Sequence, residues 1–255
     1  MHPRADVLGV PLSALTMDEA LSAIDGWISG AQRQYICTID VHALVESQLA
    51  SDVQAIYRSA ALAAPDGMPL VWLLRRNGYR SADRICGPDL MPALFRLSEQ
   101  RGYRHFLYGS SEDTLLRLRQ ELSRNFPGAR VVGHYAPPFR PLTRDEEQEI
   151  NTRLNAADPD IVWVGLGAPK QDRWMAAHRG ALNAPVLIGV GGAFEMMAGK
   201  VKRAPRILRR TGCEWMFRLA QEPRRLSGRY FRSNLQFVMM LANQKWRPPR
   251  PTVDA

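Results

Sequence analysis

The chain has 255 residues, 45% of them hydrophobic and 23% charged, with a formal net charge of +9. That is enough to bury a substantial core, which excludes an intrinsically disordered chain, and no run of about 18 apolar residues predicts a membrane-spanning helix. Three cysteines, Cys37, Cys86 and Cys213, stand far apart with no CxxC pairing, which argues against a disulfide framework or a zinc site and suits a reducing compartment.

The opening MHPRADVLGV lacks the apolar core of a signal peptide, so the expected location is the cytoplasm. Residues 7–12 read as a strand or as one arm of a hairpin. Thr16 and Glu19 have capping-box spacing and open a helix to about residue 28. Residues 35–39 form a predicted strand, followed by helical segments over 41–49 and 52–60. A short strand at 61–64 ends in Pro65-Asp66-Gly67, and a helix covers 68–76. Pro88 starts a helix that runs to residue 100 and stops at Gly102. Residues 105–108 are a strand, after which Ser110 or Ser111 caps a helix ending near 126–128. A strand at 130–133 leads into a loop over 135–142 with three prolines. Thr143 and Glu146 form a second capping box, opening a helix to about residue 156. Residues 161–164 are a strand, 169–178 a helix and 186–190 a strand.

Short, continuously apolar strands separated by helices predict a parallel sheet covered on both faces. The expected fold is α/β: a Rossmann-like parallel-sheet body over 1–199 and a basic helical C-terminal appendage over 200–245. Residues 246–255, with three prolines, are expected to be disordered. Ligands on such sheets bind beyond the C-terminal ends of the strands, so those ends carry the candidates.

Thr38, Asp40 and His42 follow the strand at 35–39, where Thr38 or Asp40 is either a helix cap or a ligand-binding group. Asp66 is either a turn or N-cap residue or a general base. Gly165 and Gly167 precede Pro169 and Gln171 at a helix start, an arrangement that lets backbone approach an anionic ligand. Gly189, Gly191 and Gly192 precede Glu195, a carboxylate placed to meet a ribose hydroxyl or a base edge. This last segment does not complete GxGxxG, because Phe194 occupies the third glycine position. There is no Walker A sequence, HExxH or GxSxG. Asp158-Pro159-Asp160 has DxD lettering but precedes a strand, at the wrong end of the sheet, and reads as a turn.

Charge is uneven: residues 200–232 hold 11 Lys/Arg against two Glu, while residues 1–199 are nearly neutral. Such a segment suits phosphates, acidic lipid or nucleic acid.

These blocks together resemble the WecG/TagA/CpsF family of bacterial glycosyltransferases. The resemblance runs from about Asp6 to Phe231 and rests on ordered motifs. They are the Thr38 segment, Pro65-Asp66-Gly67, Arg84 with Gly87-Pro88-Asp89-Leu90, and Gly165 to Gln171. Gly189 to Phe194, Ala198-Gly199-Lys200, Arg203-Ala204-Pro205, Glu214-Trp215 with Arg218-Leu219, and Glu222-Pro223-Arg224-Arg225 complete the set. The resemblance implies transfer from a UDP-sugar to a polyprenyl-diphosphate-linked sugar in surface-polymer synthesis, inverting and without metal or cofactor. By similarity Asp66 is the base. Thr38, Asp40, Arg84, Gly167, Gln171, Gly191, Glu195 and Arg203 bind substrate. Arg206, Arg218, Arg224, Arg225 and Arg229 face the acceptor and an anionic membrane surface, on the inner face of the cell membrane. The family commonly has Asn at position 40 and Asp at position 195, so this chain carries an extra carboxylate near Asp66 and a longer one at Glu195. A nucleic-acid-binding protein and an NAD-dependent oxidoreductase are the rival readings. The near-neutral body argues against nucleic acid as partner, and the incomplete glycine motif against a dinucleotide.

Overall fold

The computed structural model describes residues 2–243, without the side chains of Arg210, Arg225, Leu226, Arg229 and Tyr230. The tail over 246–255, expected to be disordered, lies outside the described residues. The chain begins with β1 (Arg4–Val7), β2 (Val10–Ser13), α1 (Met17–Ser29), β3 (Gln34–Ile39), α2 (Val41–Leu49), α3 (Ser51–Ser59), β4 (Leu62–Pro65) and α4 (Met68–Arg76). It continues with α5 (Gly87–Arg101), β5 (Arg104–Gly109), α6 (Glu112–Asn125), β6 (Arg130–Tyr135), α7 (Arg144–Ala157) and β7 (Ile161–Gly165). Last come α8 (Lys170–His178), β8 (Val186–Gly189), α9 (Ala193–Met197), α10 (Arg206–Arg210), α11 (Glu214–Gln221) and α12 (Pro223–Asn243).

Leu8 and Gly9 turn the chain at positive φ, so β1 and β2 pair as an antiparallel hairpin. Six further strands form a sheet of order β4-β3-β8-β7-β5-β6. The pairings β3–β8, β8–β7, β7–β5 and β5–β6 are all parallel. Ile161 to Val164 and Val186 to Gly189 are buried throughout, which is why these strands read as unbroken apolar runs. The capping box at Thr143 forms as spaced: its Oγ1 accepts the Glu146 N–H at 3.3 Å, and Glu146 Oε2 accepts the Thr143 N–H at 2.8 Å. Two local expectations are refined. Tyr135 closes β6 rather than opening the loop, and the five-residue α9 follows a glycine turn where no helix was expected.

The chain divides into two compact units. One comprises Asp18–Cys37 and Gly87–Lys202, the other Met1–Met17, Thr38–Cys86 and Arg203–Ala255.

In the first of these, Trp163, Phe95, Phe106, Tyr108 and Phe194 fill the interior. His105 lies among them, stacked on Phe95 with ring centroids 4.0 Å apart. Its Nδ1 accepts the Trp163 Nε1–H at 3.1 Å, and its Nε2 meets Ser98 Oγ at 2.8 Å, which fixes the neutral tautomer protonated on Nε2. Burial pushes this imidazole down to about 3. The folded value lies below the unfolded one, so this contribution to stability is complete above pH 6.5 and is lost as pH falls towards 3. Between pH 6.5 and 4.5 this group alone is expected to remove roughly 2–3 kcal/mol. Thermal melting across that window checks it, with His105→Gln flattening the decline.

In the second unit the hairpin joins β4: Ser13 Oγ accepts the Ala63 N–H at 3.1 Å, and Arg4 caps the strand's approach through Ala60 O and Ala61 O. Helix α12 packs on α2 through its buried Ser233 and Phe237, with Ser233 Oγ 2.8 Å from His42 Nδ1. His42 is thus a packing residue. The other side of α12 presents Phe231, Leu235 and Val238, all exposed and spaced by four and three residues along one face. Among the described residues no helix is long and apolar enough to cross a membrane.

Candidate active site

Asp40 and Asp66 both stand at strand ends of one unit. The Asp66 N–H donates to Ile39 O at 2.9 Å, which ties the end of β4 to the last residue of β3. Asp40 then caps α2, its Oδ1 accepting the Ala43 N–H at 2.7 Å. Asp66 does not cap the next helix, because the N-cap of α4 is Gly67. The Asp66 carboxylate is therefore left for other work. Thr38 is buried at the end of β3.

Charged groups crowd Asp66. Arg84 and Glu214 form an ion pair at 2.6 Å, with side-chain exposures of 12% and 17%, and Arg218 lies one turn beyond Glu214 on α11. Asp66 is half-buried, and its carboxyl is pushed up to about 7. Loss of water is the largest cause. Repulsion from Asp40 follows, opposed by attraction to Arg84, while Glu214 raises the value and Arg218 lowers it. A carboxyl held near neutrality can take a proton and give it up again, as a general base requires.

Asp40→Asn separates two of these effects. Asn caps a helix as well as Asp, so α2 should keep its start. With the second charge gone, the acid limb of kcat/KM against pH is expected to move to lower pH. It should stay above the ordinary carboxylate range, because burial remains. An unmoved limb would show that Asp40 does not act on the titrating group.

The remaining arginines are placed differently from one another. Arg203 is half-buried and reaches Cys86, its Nη2 lying 3.8 Å from Sγ. Arg206 and Arg224 are exposed on α10 and α12. The side chains of Arg225 and Arg229 lie outside the described residues.

The other unit gathers the glycine loops. Gly167 and Gly191 have φ of 77° and 52°, a left-handed backbone that glycine adopts without strain. Gln171 is buried, and its Oε1 accepts from both: the Gly167 N–H at 3.2 Å and the Gly191 N–H at 2.9 Å. It staples the loop after β7 to the loop after β8. Those two amides therefore serve Gln171, and an anion arriving here needs other donors. Pro169, reached through a cis bond from Ala168, is the N-cap of α8. Glu195 is half-buried on α9, and its Oε1 accepts the Ser110 hydroxyl at 2.7 Å.

Two residues escaped the sequence reading. Ser110 was weighed only as a helix cap, yet Ser111 caps α6. A second serine with no capping duty, at a strand end, was the available signal. Glu214 counted only as part of a motif, and its pairing with Arg84 spans 130 positions, which local spacing does not show. Among the described residues no group of three or more His, Cys, Asp or Glu is placed to hold a metal ion. Asp158 ends α7 in a left-handed C-cap and Asp160 accepts the Arg104 N–H at 2.8 Å, so the DxD lettering is a turn.

The glycosyl transferase WecG/TagA/CpsF family model matches residues 5–251. A Bacillus spizizenii protein named N-acetylglucosaminyldiphosphoundecaprenol N-acetyl-beta-D-mannosaminyltransferase is 31% identical over 172 residues, 68% of this chain and 65% of that protein. A Bacillus subtilis protein of the same name is 31% identical over 168 residues, 66% and 64% of the two chains. A Staphylococcus aureus protein of the same name is 25% identical over 225 residues, 88% and 87% of the two chains. The matched segment thus spans just under two thirds of the length of the two Bacillus proteins.

Proposed function

The chain belongs to the WecG/TagA/CpsF family of glycosyl transferases, and from that premise we propose that it moves a sugar from a UDP-sugar to a polyprenyl-diphosphate-linked sugar. The observation that carries the mechanism is the carboxyl of Asp66, held near neutrality at a strand end and flanked by Arg84 and Arg218. The acceptor hydroxyl oxygen attacks the anomeric carbon while Asp66 takes its proton. The bond from that carbon to the β-phosphate oxygen breaks, its electrons stay on UDP, and the anomeric centre inverts. The charge developing on UDP calls for preorganised donors, for which the arginines from Arg203 onward are the candidates. Glu195 and the Gln171-stapled loops are the candidate nucleotide contacts. The names of the relatives make N-acetylmannosamine the first donor sugar to try, on an N-acetylglucosaminyl-diphosphate lipid.

A panel of UDP-sugars with a short-chain lipid-diphosphate sugar, read by product mass, tests this reading. One new product heavier by a single sugar is the expected result. No product with any donor would sink it.

The same reading places the protein peripherally on the inner face of the cell membrane. Helix α12 offers an exposed apolar face at Phe231, Leu235 and Val238 beside the exposed Arg224 and Arg232. Each basic residue near an acidic surface contributes about 1 kcal/mol, so a few of them hold the protein weakly. Co-sedimentation with acidic liposomes, but no matching retention on duplex DNA or RNA, is the expected outcome. Preference for nucleic acid would favour the rival reading.

A further inference from the structure

Among the described residues, four other than glycine hold positive φ: Leu8, Ala31, Ser110 and Asp158. Three sit where the chain simply reverses or a helix ends: Leu8 in the hairpin turn, Ala31 after α1 and Asp158 at the C-cap of α7. Ser110, at φ 58°, instead follows Gly109, the last residue of β5, and precedes Ser111, the N-cap of α6, at a strand end where ligands of a parallel sheet bind. Strain at such a place points to function when its surroundings enforce it, and here they do.

The ends of β5 and β7 are pressed together. A Cβ on Gly109 would lie 2.6 Å from the Gly165 carbonyl oxygen, and Gly109 itself has φ of 120°. A Cβ on Gly165 would lie 2.6 Å from the ring of Phe194, the residue before Glu195. The Ser110 N–H then donates to Gly165 O at 3.1 Å. The chain has to turn at Ser110 to reach Ser111, which caps α6 by accepting the Thr114 N–H at 3.3 Å. Glycine would take that turn at less cost. With serine there, the hydroxyl reaches across to Glu195 Oε1 at 2.7 Å. Among the described residues Ser110 is the side-chain donor on that carboxylate, and it engages only Oε1.

We propose that Ser110 is a positioning residue: it holds one oxygen of Glu195 so that the other accepts a hydroxyl of the ribose of a bound nucleoside diphosphate. This rests on the reading of this unit's strand ends as the nucleotide site. A glutamate has one more rotatable bond than an aspartate, and an anchored Oε1 removes the freedom that extra bond adds. A ribose hydroxyl is a donor that a fixed carboxylate oxygen recognises, and a deoxyribose lacks it.

The test uses the full chain and three probes, UDP and its 2′-deoxy and 3′-deoxy forms, by calorimetry. Wild-type protein should prefer UDP over at least one deoxy form by about tenfold or more. Ser110→Ala should weaken UDP by about tenfold and bring that preference close to one, with the donor KM rising and kcat changing by less than about twofold. Ser110→Gly relieves the positive φ, so its melting temperature should equal or exceed that of wild type while it shows the same loss of affinity. A residue kept only for the fold would behave the other way. Glu195→Gln should lose the preference as well. If Ser110→Ala and Ser110→Gly both keep wild-type affinity and ribose preference while Glu195→Gln loses them, the positioning role is overturned and the nucleotide site stands. If wild-type protein binds no UDP, both fall together.

Discussion

Asp66→Asn is expected to abolish turnover, by about 10²–10⁴-fold, while UDP binding stays within a few-fold of wild type. Asn matches the shape of Asp but takes no proton at the pH of assay, so the acceptor hydroxyl stays a poor nucleophile. The hydrogen bonds that hold the proposed nucleotide contacts, Ser110 to Glu195 and the Gly167 and Gly191 amides to Gln171, do not involve Asp66. A stability readout goes with the kinetic one. The folded value of Asp66, about 7, lies above the ordinary value of 3.8, so the native state binds the proton more tightly than the unfolded chain does. Stability is therefore lost as pH rises from about 4 to 7 and is level above that. Asp66→Asn should melt higher than wild type at pH 8 and show no such gain near pH 3.5. The full shift corresponds to at most about 4 kcal/mol, and Asp66 keeps some contact with water, so the gain should be well below that ceiling. A variant that turns over normally would remove Asp66 from the role of base. One that loses turnover without gaining stability at pH 8 would keep the base and discard the burial argument.

Much of this organisation was legible because it is local. The buried strands show as apolar runs, the capping box at Thr143 shows as a four-residue spacing, and the candidate residues cluster at strand ends because a parallel sheet presents its ligands there. The choice between cap and ligand was not local. At Asp40 the carboxylate does cap a helix, whereas at Asp66 the cap falls one residue later, on Gly67, and no spacing rule distinguishes the two. Gln171 illustrates another limit. Its place in the first turn of a helix after two glycines suits a ligand contact, yet its Oε1 is spent on two backbone amides, one of them 20 positions away. Long-range pairs such as Ser110 with Glu195 and His42 with Ser233 are set by topology, so composition and periodicity carry no trace of them. In the C-terminal segment the sequence shows a mixture of basic and aromatic residues suited to an anionic lipid surface, without a helical stripe. Its apolar face shows once α12 is seen to bury Ser233 and Phe237 and leave Phe231, Leu235 and Val238 outside.

Glu214 offers the second large effect, and its two substitutions should part in opposite directions. Its carboxylate holds Arg84 at 2.6 Å from the first turn of α11, and Arg218 stands four residues on along the same helix. Electrostatically Glu214 raises Asp66, while Arg84 and Arg218 lower it. Glu214→Gln keeps a hydrogen-bond acceptor for Arg84 and removes only the charge. The acid limb of kcat/KM should then move to lower pH, with the plateau within a few-fold of wild type. Glu214→Ala removes the anchor itself. A largely buried guanidinium loses this ion pair, at roughly 1–3 kcal/mol, and the first turn of α11 is no longer pinned through it. If that pin is what keeps Arg218 beside Asp66, the limb should move to higher pH and the plateau of kcat/KM should fall about 10–100-fold. Arg218→Ala should then reproduce the upward shift with α11 still anchored through Glu214. Should Glu214→Ala instead move the limb downward like Glu214→Gln, the ion pair acts on Asp66 by its charge alone and α11 holds its place without it.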